Sequence, residues 1–481
     1  MISLHRHLFY KRNMEEKTPG AKIYVFLYVS QGKSCRKIGD EWMTITTNPA
    51  GKSVRMTDVR VYIKRNCFVS RKKREGVLVM VKSDVKGPMI AACPEAFSNV
   101  PPAGVDVLIK DAIFQIRALA YQITRGGEET MTHVRVLMYH TFNDMLYNTQ
   151  KYVVQVAAFD KSMHVTDAKR PEQTRRDAKP AAMDKEELKE CFEKLKLALR
   201  RDKLESFDLR AKEWAALVEH RESRQFVITA VCRYASVAIP GILAEAGVPE
   251  DHSIVLDYQE MDLDETTAKK GESVVLWLRA GSKEAGESNS FGEFDVAAWW
   301  WQKKMREIPG VHTVMVQSKD TDLMMIGTLV HKPGDSVYVE TTMQRKAYFF
   351  DISAFHTWLT TRSYVVEDFV KMYILGGSDF VLPCPGMTSK VAMRQFLKVP
   401  NTDPKAVISA AVKNGKRKTP GSAGRDKIDA YDAELSFKRT KWTIKYWKGE
   451  YSPVLGHGWG CDNGAAAAIE SESSRKRRFE E

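Results

Sequence analysis

The chain has 481 residues, long enough for about three domains of ordinary size. Hydrophobic residues make up 43% and aromatic residues 10%, which supports a packed core and excludes a wholly disordered or collagen-like protein. The formal net charge of +13 favours a polyanionic partner, most often a nucleic acid.

Residues 1–100 form a β-rich N-terminal extension whose role the sequence does not indicate. Three β-branched and aromatic runs predict strands at 23–30, 59–66 and 76–83. The segment NVPPAG at 99–104 marks the boundary to the next part of the chain.

The part from 101 to 400 alternates strands and helices. The runs VDVLIKD (105–111) and YVVQVAAFD (152–160) are apolar strands that end in Asp111 and Asp160, with helical stretches between them. Such alternation predicts an α/β fold with a mainly parallel central sheet flanked by helices.

A charged helical insertion is predicted at 168–258. Asp184 and Glu187 have the spacing of a capping box at the start of a helix. The apolar face of that helix is predicted to consist of Leu188, Phe192, Leu195 and Leu199.

Further strands and helices follow up to residue 400. Strands are predicted at 273–280, 312–318 and 347–353, and helices at 294–307, 365–375 and 388–397. The last two helices are consecutive and lie within 365–400. Beyond them, we expect a basic linker (around 414–427) and a largely disordered tail over the remainder of 401–481.

Seven carboxylates follow strands or lie in acidic motifs. GEFD supplies Glu293 and Asp295, SKDTD supplies Asp320 and Asp322, and GGSDF supplies Asp379. In extended backbone an i,i+2 pair points to one side. Since ligands of parallel sheets bind at the carboxyl ends of the strands, we expect these acids and Asp111 and Asp160 to converge.

Converging carboxylates repel one another unless a cation neutralises them. Oxygen ligands suit Mg²⁺, and two such ions about 4 Å apart can act on a phosphodiester, with Mn²⁺ as a substitute. Taken singly, a DxD pair is more often a surface feature, and Asp111 or Asp160 could cap a helix. The recurrence of seven acids at equivalent places favours the metal site.

The chain resembles the XPG/flap-endonuclease superfamily of 5′ nucleases in the order and spacing of its sequence blocks. The resemblance covers about residues 104–400. The blocks are the strand ending at Asp111, GEETMTHV (127–134), VQVAAFD (154–160), AKRPEQTRR (168–176), GEFDVAAWW (292–300), SKDTDLMMIG (318–327), ILGGSDF (374–380) and PGMTSKVAMRQFL (385–397).

The resemblance implies a PIN-like 5′-nuclease domain that holds two Mg²⁺ ions. One ion would be surrounded by Asp111, Asp160, Glu293 and Asp295; the other would be held by Asp320, Asp322 and Asp379. The family usually has Glu where this chain has Asp295.

The resemblance also implies which residues contact nucleic acid. Lys169 and Arg170 would act at the scissile phosphate, and the insertion takes the place of the family's helical arch. The remaining contacts would come from Arg175 and Arg176, and from Thr388, Ser389 and Lys390. The last three would belong to a helix–turn–helix element within 365–400. The hairpin of this element carries a second glycine in the family, and this chain lacks it.

The expected function is a magnesium-dependent, structure-specific 5′ nuclease that acts on branched or 5′-ended DNA in repair or replication. An RNA-directed nuclease of the same superfamily and an inactive nucleic-acid-binding scaffold are the alternatives. The basic clusters GKRK (415–418) and RKRR (475–478) favour the nucleus.

The cysteines and the apolar segments favour an intracellular protein without a membrane span. The seven cysteines stand singly, which favours neither disulfides nor a structural zinc site. The most apolar stretch, 226–248, is interrupted by Arg233, Pro240 and Glu245.

Overall fold

The computed structural model describes residues 85–162, 183–264, 271–343, 346–399, 402–429 and 431–451. The chain divides into two units, Met1–Val79 and Met80–Glu481, and all described residues belong to the second. The predicted strands before residue 84, the segment 163–182 and the tail from Gly456 lie outside the described residues.

Five of the β-strands follow apolar runs that the sequence predicts. The central strand Ser253–Met261 does not, because it overlaps the end of the predicted helical insertion (168–258). In chain order they are Phe97–Ser98 (β1), Val107–Asp111 (β2), Met131–His133 (β3), Val154–Ala158 (β4), Asp208–Arg210 (β5), Ser253–Met261 (β6), Gly271–Arg279 (β7), Ser282–Ala285 (β8), Thr313–Gln317 (β9), Ser336–Met343 (β10) and Lys346–Asp351 (β11). β3 and β5 form a separate two-stranded sheet.

The α-helices of the described residues begin before β1 and continue to residue 447. They are Lys86–Ala92 (α1), Ala112–Thr124 (α2), Val134–Tyr147 (α3), Lys185–Arg200 (α4), Ala211–Glu219 (α5), Arg221–Glu245 (α6), Phe294–Met305 (α7), Thr321–Val330 (α8), Ile352–Thr361 (α9), Val366–Leu375 (α10), Ser389–Phe396 (α11), Pro404–Gly415 (α12), Ala423–Asp429 (α13) and Ala433–Trp447 (α14).

The main sheet is mixed, with a parallel centre. Its order is β1-β11-β10-β9-β2-β4-β6-β7-β8. The five central strands, β10 to β6 in that order, pair in parallel, and the strands on both edges pair antiparallel. The predicted α/β class, with a central sheet flanked by helices, is confirmed.

Two large apolar cores and a smaller third one cover the sheet. The first large core contains Val107 and Ile109 of β2 together with α7 to α11 and α14. The second contains Ile254 and Leu256 of β6 together with α2 to α6. Alternate side chains of the central strands face opposite cores, as expected for a sheet that is buried on both sides.

The helices of the predicted insertion are part of this second core. Leu195 and Leu199 of α4 are buried and pack there, which confirms the predicted apolar face. The predicted capping box is only half present: Asp184 accepts a hydrogen bond from the N–H of Glu186, and Glu187 instead pairs with Arg210 at 3.2 Å.

Helix α6 is the one helix of the described residues that is long and apolar enough to cross a membrane by length and composition. Two thirds of its apolar window is buried inside the protein. Phe226, Val231 and Ile239 are fully buried in the second core.

The chain beyond residue 400 differs from the predicted linker. Helices α12 and α13 occupy most of 404–429, and α14 packs against α10. Trp442, Tyr446 and Trp447 of α14 are buried in the first core. Gly and Pro are frequent between 414 and 427, and this composition indicated a loop. In the segment that follows, burial of the aromatic side chains of α14 stabilises the helix against the first core.

Candidate metal centre

Three of the seven predicted acids lie at the carboxyl ends of three neighbouring strands. Asp111 is the last residue of β2, Asp160 comes two residues after β4, and Asp320 comes three residues after β9. The strands lie in the order β9-β2-β4 and are parallel. Their carboxyl ends therefore meet at one edge of the sheet.

This edge contains the point where the strand order reverses. From β2 the chain adds β4 and β6 on one side, and then β9 and β10 on the other. In open parallel sheets, the crevice at such a switch point is where ligands bind. Asp111 and Asp320 follow the two strands that flank this crevice.

The paired acids lie at the first turns of helices rather than in extended backbone. Asp320 is the N-cap of α8 and accepts a hydrogen bond from the N–H of Asp322. Glu293 is the N-cap of α7, and Asp295 lies in its first turn. The pairs therefore do not lie in strands as predicted, although the carboxylates of Asp320 and Asp322 do lie together. A helix N-terminus also favours negative charge.

Three carboxylates form a compact triad. Oxygen atoms of Asp295, Asp320 and Asp322 all lie within 4.8 Å of one another. Asp322 is 1% exposed, and Tyr373 of α10 donates a hydrogen bond to its Oδ1 at 2.5 Å. This acidic triad joins the N-termini of α7 and α8 and could hold a metal ion.

Asp111 is electrostatically connected to the acids on both neighbouring strands. Its pKa is raised from 3.8 to about 7, chiefly by burial and also by the charges of Asp160 and Asp320, against the lowering effect of Arg117. Its Oδ1 is buried and has no hydrogen-bond partner among the described residues. An oxygen in that state suits a cation.

Asp160 and Glu293 approach the triad from the side of α7. The Oδ1 of Asp160 accepts a hydrogen bond of 3.0 Å from the N–H of Phe294, the residue after Glu293. Glu293 is 6% exposed, with both carboxylate oxygens buried. Asp160 thus caps a helix distant in sequence and at the same time lies beside Glu293.

Tyr446 of α14 lies close enough to these acids to interact with them electrostatically. Its side chain is fully buried, and its hydroxyl has no hydrogen-bond partner in the part of the chain that the structure describes. Burial raises its pKa well above the usual range, and the charges of Glu293, Asp295 and Asp160 add to this effect. The neutral hydroxyl is therefore available as a hydrogen-bond donor beside the carboxylates.

Asp379 lies in the loop between α10 and α11. The next residue, Phe380, has its ring centroid 5.9 Å from that of Tyr446. Asp379 is not a member of the acidic triad.

The predicted nucleic-acid contacts divide into three groups. Lys169, Arg170, Arg175 and Arg176 lie outside the described residues. Thr388 and Lys390 are exposed at the start of α11. Ser389 differs from the prediction, because it is 1% exposed and its Oγ donates to the carbonyl of Gly377 at 3.0 Å.

Helix α2 carries an exposed stripe that the sequence reasoning missed. The α2 stripe consists of Phe114, Arg117, Tyr121 and Arg125, spaced three and four residues apart, and it starts beside Asp111. The ammonium of Lys319 lies 3.9 Å from the centroid of the Phe114 ring, and the guanidinium of Arg125 lies 3.9 Å from that of Tyr121. The helical spacing after VDVLIKD was a readable signal for this stripe.

A comparison of the chain with protein-family models finds no match, and a comparison with curated proteins finds none either.

Proposed function

We propose that this protein is a magnesium-dependent nuclease that hydrolyses phosphodiester bonds in nucleic acid, with 5′-ended or branched DNA as its substrate. One observation carries the proposal: Asp111, Asp160 and Asp320 follow three neighbouring parallel strands at the switch point of the sheet, where Asp320 also belongs to the acidic triad. Carboxylates in this number favour a divalent cation over an empty site.

A PIN-like fold is part of the same proposal. The parallel strand order β6-β4-β2-β9-β10 and the acids at the ends of β2, β4 and β9 support it. The collinear sequence blocks of the 5′-nuclease superfamily support it independently.

The residues at this edge suit hydrolysis of a phosphodiester. The acidic triad and Asp111 supply only oxygen donors, the set that Mg²⁺ prefers. Bound Mg²⁺ would lower the pKa of an attacking water and offset negative charge on the phosphate. The hydroxyl of Tyr446 is positioned to donate a hydrogen bond at the buried end of the site.

The α2 stripe supports a nucleic acid as the substrate. Phe114 is 41% exposed and Tyr121 is 64% exposed, and a cation lies 3.9 Å from the centroid of each ring. Arg117, Arg125 and Lys319 place positive charge between and beside the rings. Exposed aromatics alternating with cations are the pattern of single-strand binding surfaces.

The decisive experiment is cleavage of a substrate panel by the full chain and by Asp320→Asn and Asp322→Asn variants. Labelled flap DNA, single-stranded DNA and RNA are incubated with Mg²⁺ or with a chelator. We expect cleavage that requires Mg²⁺ and is lost in both variants, because each removes a charge from the triad. Affinity for nucleic acid should stay within roughly tenfold, since phosphate contacts supply most of it.

Asp351→Asn is the matched control. Asp351 ends β11 and caps α9, much as Asp320 follows β9 and caps α8, but it lies outside the acidic triad. Asparagine is also a favoured N-cap, so Asp320→Asn and Asp351→Asn both keep the cap of their helix.

Cleavage of RNA alone would favour the RNA-directed alternative. Binding without cleavage of any substrate would favour the inactive scaffold, and full activity of Asp320→Asn would contradict the proposal.

A further inference from the structure

A buried ionic network lies directly behind Asp160. The side chain of Lys161 is fully buried, and its ammonium lies 2.5 Å from Oδ1 of Asp257, which is also fully buried. The same ammonium donates to the backbone carbonyl of Asn289 at 3.2 Å and to its Oδ1 at 3.1 Å. Three contacts match the three N–H groups of a lysine.

The second carboxylate oxygen of Asp257 is also hydrogen-bonded. This oxygen, Oδ2, accepts hydrogen bonds from Nδ2 of Asn289 at 2.7 Å and from Nε1 of Trp301 at 2.6 Å. Asp257 belongs to β6, and Trp301 belongs to α7, the helix whose first turn carries Asp295. The network therefore joins the sheet to the helix of the acidic triad.

Backbone hydrogen bonds continue this connection to Asp160 and Glu293. The N–H of Lys161 donates to the carbonyl of Gly292 at 2.8 Å. The N–H of Phe294 donates to Asp160 at 3.0 Å. These two bonds lie on either side of Glu293, so the position of Lys161 determines how far Asp160 lies from Glu293.

The energetics of such a pair argue against a purely stabilising role. Removing two charges from water is costly, and an apolar pair of similar volume often stabilises a core as well or better. What directional hydrogen bonds add is a single geometry, which a set of apolar contacts does not impose. At this place the fixed geometry is that of two carboxylates that would otherwise repel each other.

We infer that Lys161 and Asp257 are positioning residues, whose buried pair holds Asp160 and Glu293 at the separation that a divalent cation requires. This inference rests on the proposed metal site. Neither side chain reaches the cation itself; both act through the segment 160–161 and the loop 289–293. Partners of metal ligands act in this way, and their loss costs about 10- to 100-fold in metal affinity or activity.

The test is the double variant Lys161→Met/Asp257→Asn, which removes both charges and leaves none uncompensated. Binding of Mg²⁺ is measured by calorimetry without nucleic acid, and cleavage is measured as a function of Mg²⁺ concentration. We expect a folded protein whose Mg²⁺ affinity is about 10- to 100-fold weaker. The maximal rate should fall while KM for the nucleic acid stays the same.

Arg233→Met/Glu260→Gln is the matched control, because Glu260 also belongs to β6 and forms an ion pair with Arg233 away from the acids. Its Mg²⁺ affinity should equal that of the wild type. Trp301→Phe, which removes only the indole donor to Asp257, is the second variant if the double variant does not fold. It should weaken Mg²⁺ binding by several-fold.

Wild-type Mg²⁺ affinity in the folded double variant would overturn the inference and leave the proposed function standing. The same holds for wild-type affinity in Trp301→Phe, should the double variant not fold. A wild-type protein that binds no Mg²⁺ would overturn both proposals. A lower melting temperature with unchanged Mg²⁺ affinity would assign the pair to stability alone.

Discussion

At the candidate site, the pKa of Asp111 is clearly raised by its surroundings. Burial is the first reason for its raised pKa, and the neighbouring charges of Asp160 and Asp320 are the second. The metal-free site therefore retains a proton near neutral pH that a bound cation would displace. Because a proton and the cation compete for Asp111, the effect of pH on stability reports on the metal site.

Asp111 should make the stability of the metal-free protein depend on pH. Its pKa rises from 3.8 to about 7 on folding, so between these values the native state binds more protons than the unfolded state. The free energy of unfolding should therefore decrease as pH rises from about 4 to 7, and level off above that. In Asp111→Asn this decrease should be smaller, as measured by melting temperatures in a chelator.

The melting temperature in the presence of Mg²⁺ provides a second test of Asp111. Mg²⁺ should raise the melting temperature of the wild type more at pH 8 than at pH 6, because protons compete with the cation. The Asp111→Asn protein should gain less at both pH values. Identical pH profiles for the two proteins in a chelator would show that Asp111 has an ordinary pKa.

At the scale of single elements, α2 connects the acidic site to the protein surface. It begins at Asp111, and its buried face, including Ile116 and Leu119, packs in the second core. Its opposite face carries the α2 stripe. Since a helix rises about 1.5 Å per residue, the stripe from Phe114 to Arg125 is roughly 16 Å long.

Alanine variants of the stripe should bind single-stranded nucleic acid more weakly. Loss of base stacking costs about 1–3 kcal/mol for each ring, so Phe114→Ala and Tyr121→Ala should each weaken binding measurably in fluorescence titrations. Binding should also weaken steeply with salt.

Tyr139→Ala is the control for these two variants. Tyr139 of α3 is also an exposed tyrosine, 37% accessible, with the guanidinium of Arg135 5.4 Å from its ring. Its replacement should leave affinity unchanged. If Phe114→Ala and Tyr121→Ala bind as Tyr139→Ala does, the stripe is not a binding surface.

For the whole molecule, the C-terminal helix α14 belongs to the same core as the central strands. Trp447 is 1% exposed, and its ring centroid lies 6.5 Å from that of Tyr373. Tyr373 is the residue whose hydroxyl donates a hydrogen bond to Asp322. The segment beyond residue 430 is therefore part of the support of the acidic triad, rather than an appendage to it.

Trp447→Ala should destabilise the entire unit. Replacing a buried tryptophan by alanine costs about 3–5 kcal/mol of the free energy of unfolding. Tyr147→Ala, at an exposed position, should change it by no more than roughly 0.5 kcal/mol. Denaturant unfolding followed by circular dichroism compares the two. A Trp447→Ala protein as stable as Tyr147→Ala would mean that α14 does not support the core.

Much of this architecture could be predicted from the sequence, because it depends on neighbours in the chain. Apolar runs predict β2, β4 and β9 within a few residues, and each run is followed directly by its acid. The apolar face of α4 follows from helical periodicity in the same way.

Only the tertiary structure decided which acids meet and what surrounds them. Asp111 and Asp320 become neighbours because β9 pairs with β2, and the pairing of strands so distant in sequence is not encoded in local periodicity. The Lys161–Asp257 pair and the approach of Tyr446 likewise depend on long-range packing. Burial then gives these side chains their properties, since a charge or hydroxyl removed from water must find a partner nearby.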